Sequence, residues 1–291
     1  MSNLASQRAT TLLEILQLQK IEEDLFLGRN EEQEPARRLF GGQVLAQAVA
    51  AASGTVEGVA LHSLHGYFIR AGTSDRPVLY EVERTRDGRS FSTRRVVAIQ
   101  NGVAIFSMDA SFQLAEPGFE HAHPMPNVPM PDELEEDDQV AAKLGVEVSQ
   151  HGPLGKLARP FEVRSVFRLG SEDWAENRLF NPVWIRFRES VDATNAELAR
   201  CLLAYASDMS MVSTVSLPHL SEVDRSELQM ASLDHALWIH RGVPIDQWIL
   251  FHKRTSTAQG ARGLVHADFF AESGELIASV SQEGLMRVQQ S

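Results

Sequence analysis

One stretch of this chain occurs twice. The segment LHSLHGYFIRAG at 61–72 is echoed by ASLDHALWIHRG at 231–242. VAIFSMDASFQL at 103–114, entered through an Asn101-Gly102 turn, is echoed by ELIASVSQEGLM at 275–286, entered through Ser273-Gly274. The offset stays near 170 residues in both pairs. A period of that size means a duplicated domain rather than a short-period solenoid, so the chain must build two packed copies of one module.

The copies differ where it matters chemically. In the first, Ala104, Phe106, Met108, Ala110, Phe112 and Leu114 alternate with Ser107, Asp109, Ser111 and Gln113, which reads as a strand with one core face. In the second, the apolar face of Leu276, Ala278, Val280 and Met286 is interrupted by Gln282, where the first copy has Ala110. A buried amide without partners costs about 1–3 kcal/mol, so Gln282 is expected to be hydrogen-bonded.

The remaining segments fit the two-module plan. Leu12, Leu13, Ile15 and Leu16 space as a short helix, IEEDLFLG as a strand, and LFGGQVLAQAVAAAS as an Ala-rich helix opened by Gly41-Gly42. Four strands follow, joined by Asp87-Gly88 and Asn101-Gly102, both strong hairpin signals. The second module repeats the order with FEVRSV and PVWIRFRES as strands, TNAELARCLLAYA as the central helix and a closing sheet. The fold class is therefore α+β, each module wrapping an antiparallel sheet around one helix. The boundaries fall at 1–115 and 153–291, separated by a Pro-rich linker at 116–152. Its run DELEEDD reads as a solvated face, and VAAKLGVEVSQHG as a weak helix.

Composition narrows the partners. Lys plus Arg number 27 against 39 Asp plus Glu, a net charge of −12, which argues against nucleic acid or an anionic membrane surface. An anionic small ligand stays possible through a local arginine patch. No apolar run approaches the roughly 18–20 residues that span a bilayer, and the N-terminus lacks the order of a signal peptide, so a soluble, cytoplasmic protein is expected. The C-terminal VQQS carries no peroxisomal tripeptide. Cys201, the single cysteine, sits in an apolar helical run and reads as a core residue of a reducing compartment.

Candidate chemistry gathers in the second module. Asp208 ends an apolar helix, where the helix dipole opposes a carboxylate. Ser232 lies in a strand of ambiguous alternation, and Gln282 faces a core. Together a carboxylate, a hydroxyl and an amide can hold and polarise a water, Asp208 accepting its proton. There is no G-x-S-x-G elbow, phosphate loop, H-E-x-x-H or C-x-x-C, and the scattered histidines, His121 and His123 included, suggest no metal. No cofactor is expected.

LFGGQ, HGYFIRAG, RDGRSFSTRRVVAIQNG, YASD, DHALWIHR, ARGLVHADFF and SQEG, in this order, resemble the type II acyl-CoA thioesterases, the TesB-like family. The resemblance spans nearly the whole chain except the linker. It implies a double hotdog fold and hydrolysis of fatty acyl-CoA by activated water, without a covalent acyl-enzyme. By the same resemblance the catalytic Asp falls on Asp208, the hydroxyl residue on Ser232, where many bacterial relatives carry Thr, and the Gln on Gln282. Gly41 and Gly42 are then candidates for backbone oxyanion donors, and His65 for the wall of the site. Arg94, Arg95 and Arg262 are candidates for the coenzyme A phosphates. A homodimer or homotetramer is the implied assembly. Two other readings compete: a hotdog hydratase, whose D-x4-H spacing fails because position 213 is Ser, and a non-catalytic acyl-CoA binding module, which would lack the water-activating set.

Overall fold

The computed structural model describes residues 2–31, 38–143 and 159–289. The first module comprises α1 (Ser2–Ile15), β1 (Gln19–Glu22), β2 (Leu25–Gly28), α2 (Gly41–Ser53), β3 (Ala60–Phe68), β4 (Val78–Asp87), β5 (Phe91–Gln100) and β6 (Val103–Gln113). A connection containing α3 (Asp137–Lys143) leads to the second. That module holds β7 (Phe161–Ser165), α4 (Glu172–Glu176), β8 (Phe180–Phe187), α5 (Ala196–Ser207), α6 (Met211–Ser216), β9 (Leu228–Ser232), β10 (Asp234–Ile239), β11 (Ile249–Gln259), β12 (Arg262–Ala271) and β13 (Leu276–Val288). The segment IEEDLFLG is not one strand but the end of the first arm, the turn and the second arm of a hairpin, because Asp24 takes φ 62°.

The duplication is visible in the pairing order. The first half runs β1-β2-β4-β5-β6-β3 and the second, read from its far edge, β7-β8-β11-β12-β13-β10. Antiparallel pairing of β3 with β10, from Ser63 opposite Trp238 to Tyr67 opposite Asp234, joins the halves into one sheet. The expected double hotdog is thus the observed architecture.

Even the irregularities repeat. Ile105 is bulged out of the β5–β6 ladder, and Ile277 out of the β12–β13 ladder. Ile105 O accepts from the N–H groups of Ile69 and Arg70, and Ile277 O from those of His240 and Arg241. A bulge shifts the alternation by one residue. Ile105 and Ile277 are therefore buried, whereas Ala104 and Leu276 leave the inner face on which the sequence pattern puts them. Leu114, past the end of β6, is exposed.

The central helices are apolar on nearly every side. From Val44 to Val49 every residue of α2 is buried, including Gln47, whose amide is held by the Tyr80 hydroxyl and the carbonyls of Ile15 and Arg29. A helix buried all round must pack against both sheet and helix, and here its partner is α5. The approach is close: a Cβ at Gly42 would lie 2.4 Å from the Tyr205 carbonyl oxygen. Only glycine fits there.

The connection is a strap rather than a free tether. Met125, Val128, Met130 and Leu134 pack on Trp184, Trp248, Leu250 and Phe270, and Trp184 Nε1 donates to Pro129 O at 2.9 Å. The acidic run also docks, contrary to its reading as a solvated face. Asp137 accepts from the N–H and the hydroxyl of Ser165, both at 2.8 Å, while Glu136 and Asp138 pair with Arg188. The cause is complementary arginines on and beside the β7–β8 hairpin. Residues 144–152 of the weak helix lie outside the described residues.

Candidate active site

The site begins at the C-terminus of α5. Asn195 caps the start of this helix, its side chain accepting from the Leu198 N–H at 3.0 Å. The buried run from Cys201 to Ser207 then carries the chain through the core to Asp208, the C-cap residue. Ser210 takes the left-handed conformation at φ 62°, and α6 departs from it. That helix lies almost on the sheet, because at Gly263 a Cβ would come within 1.9 Å of Val215. Asp208 is 6 % exposed.

Two strands bring the other groups. Ser232 ends β9, opposite Gly284 of β13, just before the chain crosses to pair with the first module. Gln282 is on the inner face of β13 and 1 % exposed, as the interrupted apolar pattern suggests. Its Nε2 donates to Asp208 Oδ1 at 2.9 Å and lies 2.9 Å from Ser232 Oγ. The Ser232 hydroxyl donates to Asp208 Oδ1 at 3.3 Å. The three candidates converge on one carboxylate.

The dipole problem noted for Asp208 is answered by the other module. The start of α2 has no side-chain cap, Phe40 standing at the N-cap position. Instead the Gly42 N–H donates to the Asp208 carboxylate. The positive end of α2 thus opposes the negative end of α5 at this point. Burial pushes the Asp208 carboxyl up, and the hydrogen bonds from Gln282, Ser232 and Gly42, with Arg38 nearby, pull it back to about 6. Such a group is ionised at neutral pH yet basic enough to take a proton.

Asp208, Ser232 and Gly41 line a cavity of about 420 Å³. One wall is apolar, including Leu39, Val44, Phe68, Phe106 and Met211, and four arginines border it: Arg38, Arg70, Arg159 and Arg225. These are not the arginines singled out in the sequence. Arg94 is 1 % exposed, its guanidinium spent on Thr55, the Arg86 carbonyl and Asp87. Arg95 pairs with Asp109 and Arg262 with Glu283 on the exposed face, and none of the three lines the cavity. Strand membership was visible in the sequence, but the approach of residues 38, 70, 159 and 225 depends on loops that no periodicity marks.

His65 also stands away from the cavity. It is exposed on β3, edge-on to Trp238 at 5.1 Å. The histidine that does reach the site is His235, 1 % exposed, with Nδ1 2.5 Å from Gln282 Oε1. At an offset of 170 residues the letters pair His65 with His235, but the shared geometry needs 171, since Ile69 and Arg70 correspond to His240 and Arg241. A one-residue slip moves a strand side chain to the opposite face. The available signal was the alternation His235, Leu237, Ile239, all buried.

Residues 163–285 match the acyl-CoA thioesterase family, and residues 30–113 the acyl-CoA thioesterase N-terminal domain. Human acyl-coenzyme A thioesterase 8 is 38% identical, over 97% of this chain and 90% of its own. Acyl-CoA thioesterase 2 of Haemophilus influenzae is 36% identical, over 95% and 96%. The crystal structure of acyl-CoA thioesterase II TesB2 from Mycobacterium marinum superposes with a TM-score of 0.79 at 36% identity, covering 97% of this chain and 98% of that one. Matches of this extent make the chain a hydrolase of acyl-CoA thioesters. The chain belongs to the type II acyl-CoA thioesterases.

Proposed function

We propose that the protein hydrolyses fatty acyl-CoA by direct attack of a water activated at Asp208, with no covalent acyl-enzyme. The observation that carries this reading is the buried Asp208 carboxylate at the cavity wall, held by Gln282, Ser232 and the Gly42 N–H. Asp208 takes a proton from the water while Ser232 and Gln282 set its direction. The positive end of α2, with the Gly41 N–H, faces the oxygen that gains charge as the tetrahedral intermediate forms. Collapse of that intermediate expels the coenzyme A thiolate, which takes up the proton held by Asp208 and restores the carboxylate.

The cavity supports the substrate class. Its apolar wall suits an acyl chain, and Arg38, Arg70, Arg159 and Arg225 supply local positive charge for the coenzyme A phosphates despite the acidic chain as a whole. A cytoplasmic setting fits the buried free thiol of Cys201, and assembly into a homodimer or homotetramer fits the exposed Tyr67 and Ile69 on the outer face of β3 and beyond it.

Free-thiol release from acyl-CoAs of increasing chain length tests the reading. Wild-type turnover, with losses of about a hundredfold or more in Asp208→Asn and Gln282→Ala, is the expected outcome. Acyl-CoA binding without thiol release would contradict it.

A further inference from the structure

The two ends of a glutamine amide have the same shape, and only one suits this site. An N–H end turned to Asp208 donates to the carboxylate, whereas a carbonyl end would repel it. What decides between them sits on the far side of Gln282. There His235, on the inner face of β10, places Nδ1 2.5 Å from Oε1 of Gln282 and Nε2 2.8 Å from the Ser207 hydroxyl.

The proton assignments follow from valence. An amide oxygen can only accept, so Nδ1 must carry the hydrogen. Burial pushes His235 down to about 4, so the ring is neutral and has one N–H. Nε2 is then an acceptor, which requires the Ser207 hydroxyl to turn its one proton to Nε2 rather than to the Ala204 carbonyl oxygen, also 2.8 Å away. The groups facing the ring are Ser207 from α5 and Gln282 from β13, with Gly66 opposite on β3. Asp208 is met only through Gln282, and the charged or titratable groups acting on Asp208 are Arg38 and Tyr205. The first module contains the contrast: Leu64 on the inner face of β3 lies opposite Ala110, an apolar pair where the second module has His235 and Gln282.

We propose that His235 is a positioning residue for hydrolysis, locking the Gln282 amide with Nε2 toward Asp208 and Ser232. It touches neither water nor substrate. The inference rests on the reading that Asp208 and Gln282 act on the attacking water, but its first test does not. Nitrogen-15 NMR of the whole protein at neutral pH, with the His235 signals assigned by their loss in His235→Asn, reads the tautomer directly. A protonated Nδ1 with a bare Nε2 is expected, and a proton on Nε2 would overturn the proposal.

Kinetics supplies the second test. His235→Leu, which installs the first module's residue, should lower kcat about tenfold with KM little changed, the scale of one oriented hydrogen bond. Its acid limb should move to higher pH, because a turned amide no longer lowers the Asp208 pKa. His235→Asn, whose amide nitrogen falls near the place of Nδ1, should recover part of the loss. In a Gln282→Ala background His235→Leu should cost nothing further, whereas an undiminished cost there would show a merely structural role and overturn the proposal. If Gln282→Ala itself keeps full turnover, the functional reading fails while the tautomer still decides the contact. If His235→Leu does not fold, the NMR result stands as the test.

Discussion

Asp208, the proton acceptor of the proposed reaction, also carries a cost in stability. Its folded pKa of about 6 lies above the ordinary carboxylate value of 3.8, so the folded protein binds this proton more tightly than the unfolded chain. The stability it contributes is complete below about pH 4 and is lost as pH rises through about 6. Relative to Asp208→Asn, the wild type should lose up to about 3 kcal/mol between pH 4 and pH 7, measured by urea unfolding. The same ionisation should give the kcat/KM profile an acid limb near pH 6, which Asp208→Asn cannot show. Much at this scale was legible. Gln282 announced itself by breaking an apolar alternation, and the structure finds it buried and bonded. His235 did not, because matching letters paired it with His65 and only a one-residue shift in the repeat puts the two on opposite faces. The cavity arginines were hidden for a different reason, since loops rather than strands deliver them.

The elements explain why one carboxylate can sit at a helix C-terminus. Asn195 caps α5 with its own side chain, so that helix has little to offer a ligand, while α2 starts at Phe40 without a side-chain cap and gives its Gly42 N–H to Asp208. Gly42→Ala would drive a Cβ against the Tyr205 carbonyl and separate the helices. It should lower stability by about 1–3 kcal/mol and reduce kcat at least tenfold, read by thermal melting and thiol release. Glycine-glycine at the helix start was visible in the sequence, but its partner was not, because that partner is 166 positions away in the other module. The strap is the other element-scale result. Its prolines and charges imitate a linker, and only the apolar spacing of Met125, Val128 and Met130 hinted at docking on Trp184. Trp184→Ala should cost about 3–5 kcal/mol and expose residues 116–130 to limited proteolysis.

At the scale of the molecule, duplication has left, among the described residues, one cluster of carboxylate, hydroxyl and amide rather than two. The modules share strand order, bulges and central helices, yet the second supplies Asp208, Ser232 and Gln282 and the first supplies the helix terminus that faces them. The repeat made the architecture readable before any contact was known. What it could not show is that the site lies across the seam, because a repeat reports likeness within each module and not the packing of one on the other. In the proposed reaction water, oriented at Asp208, attacks the thioester directly. A single turnover with enzyme in excess in oxygen-18 water tests it, because the alternative is attack by the Asp208 carboxylate itself. Direct attack places the label in the released fatty acid on the first turnover and leaves Asp208 unlabelled. Unlabelled acid in that first turnover, with oxygen-18 appearing in Asp208 afterwards, would show attack by the carboxylate instead.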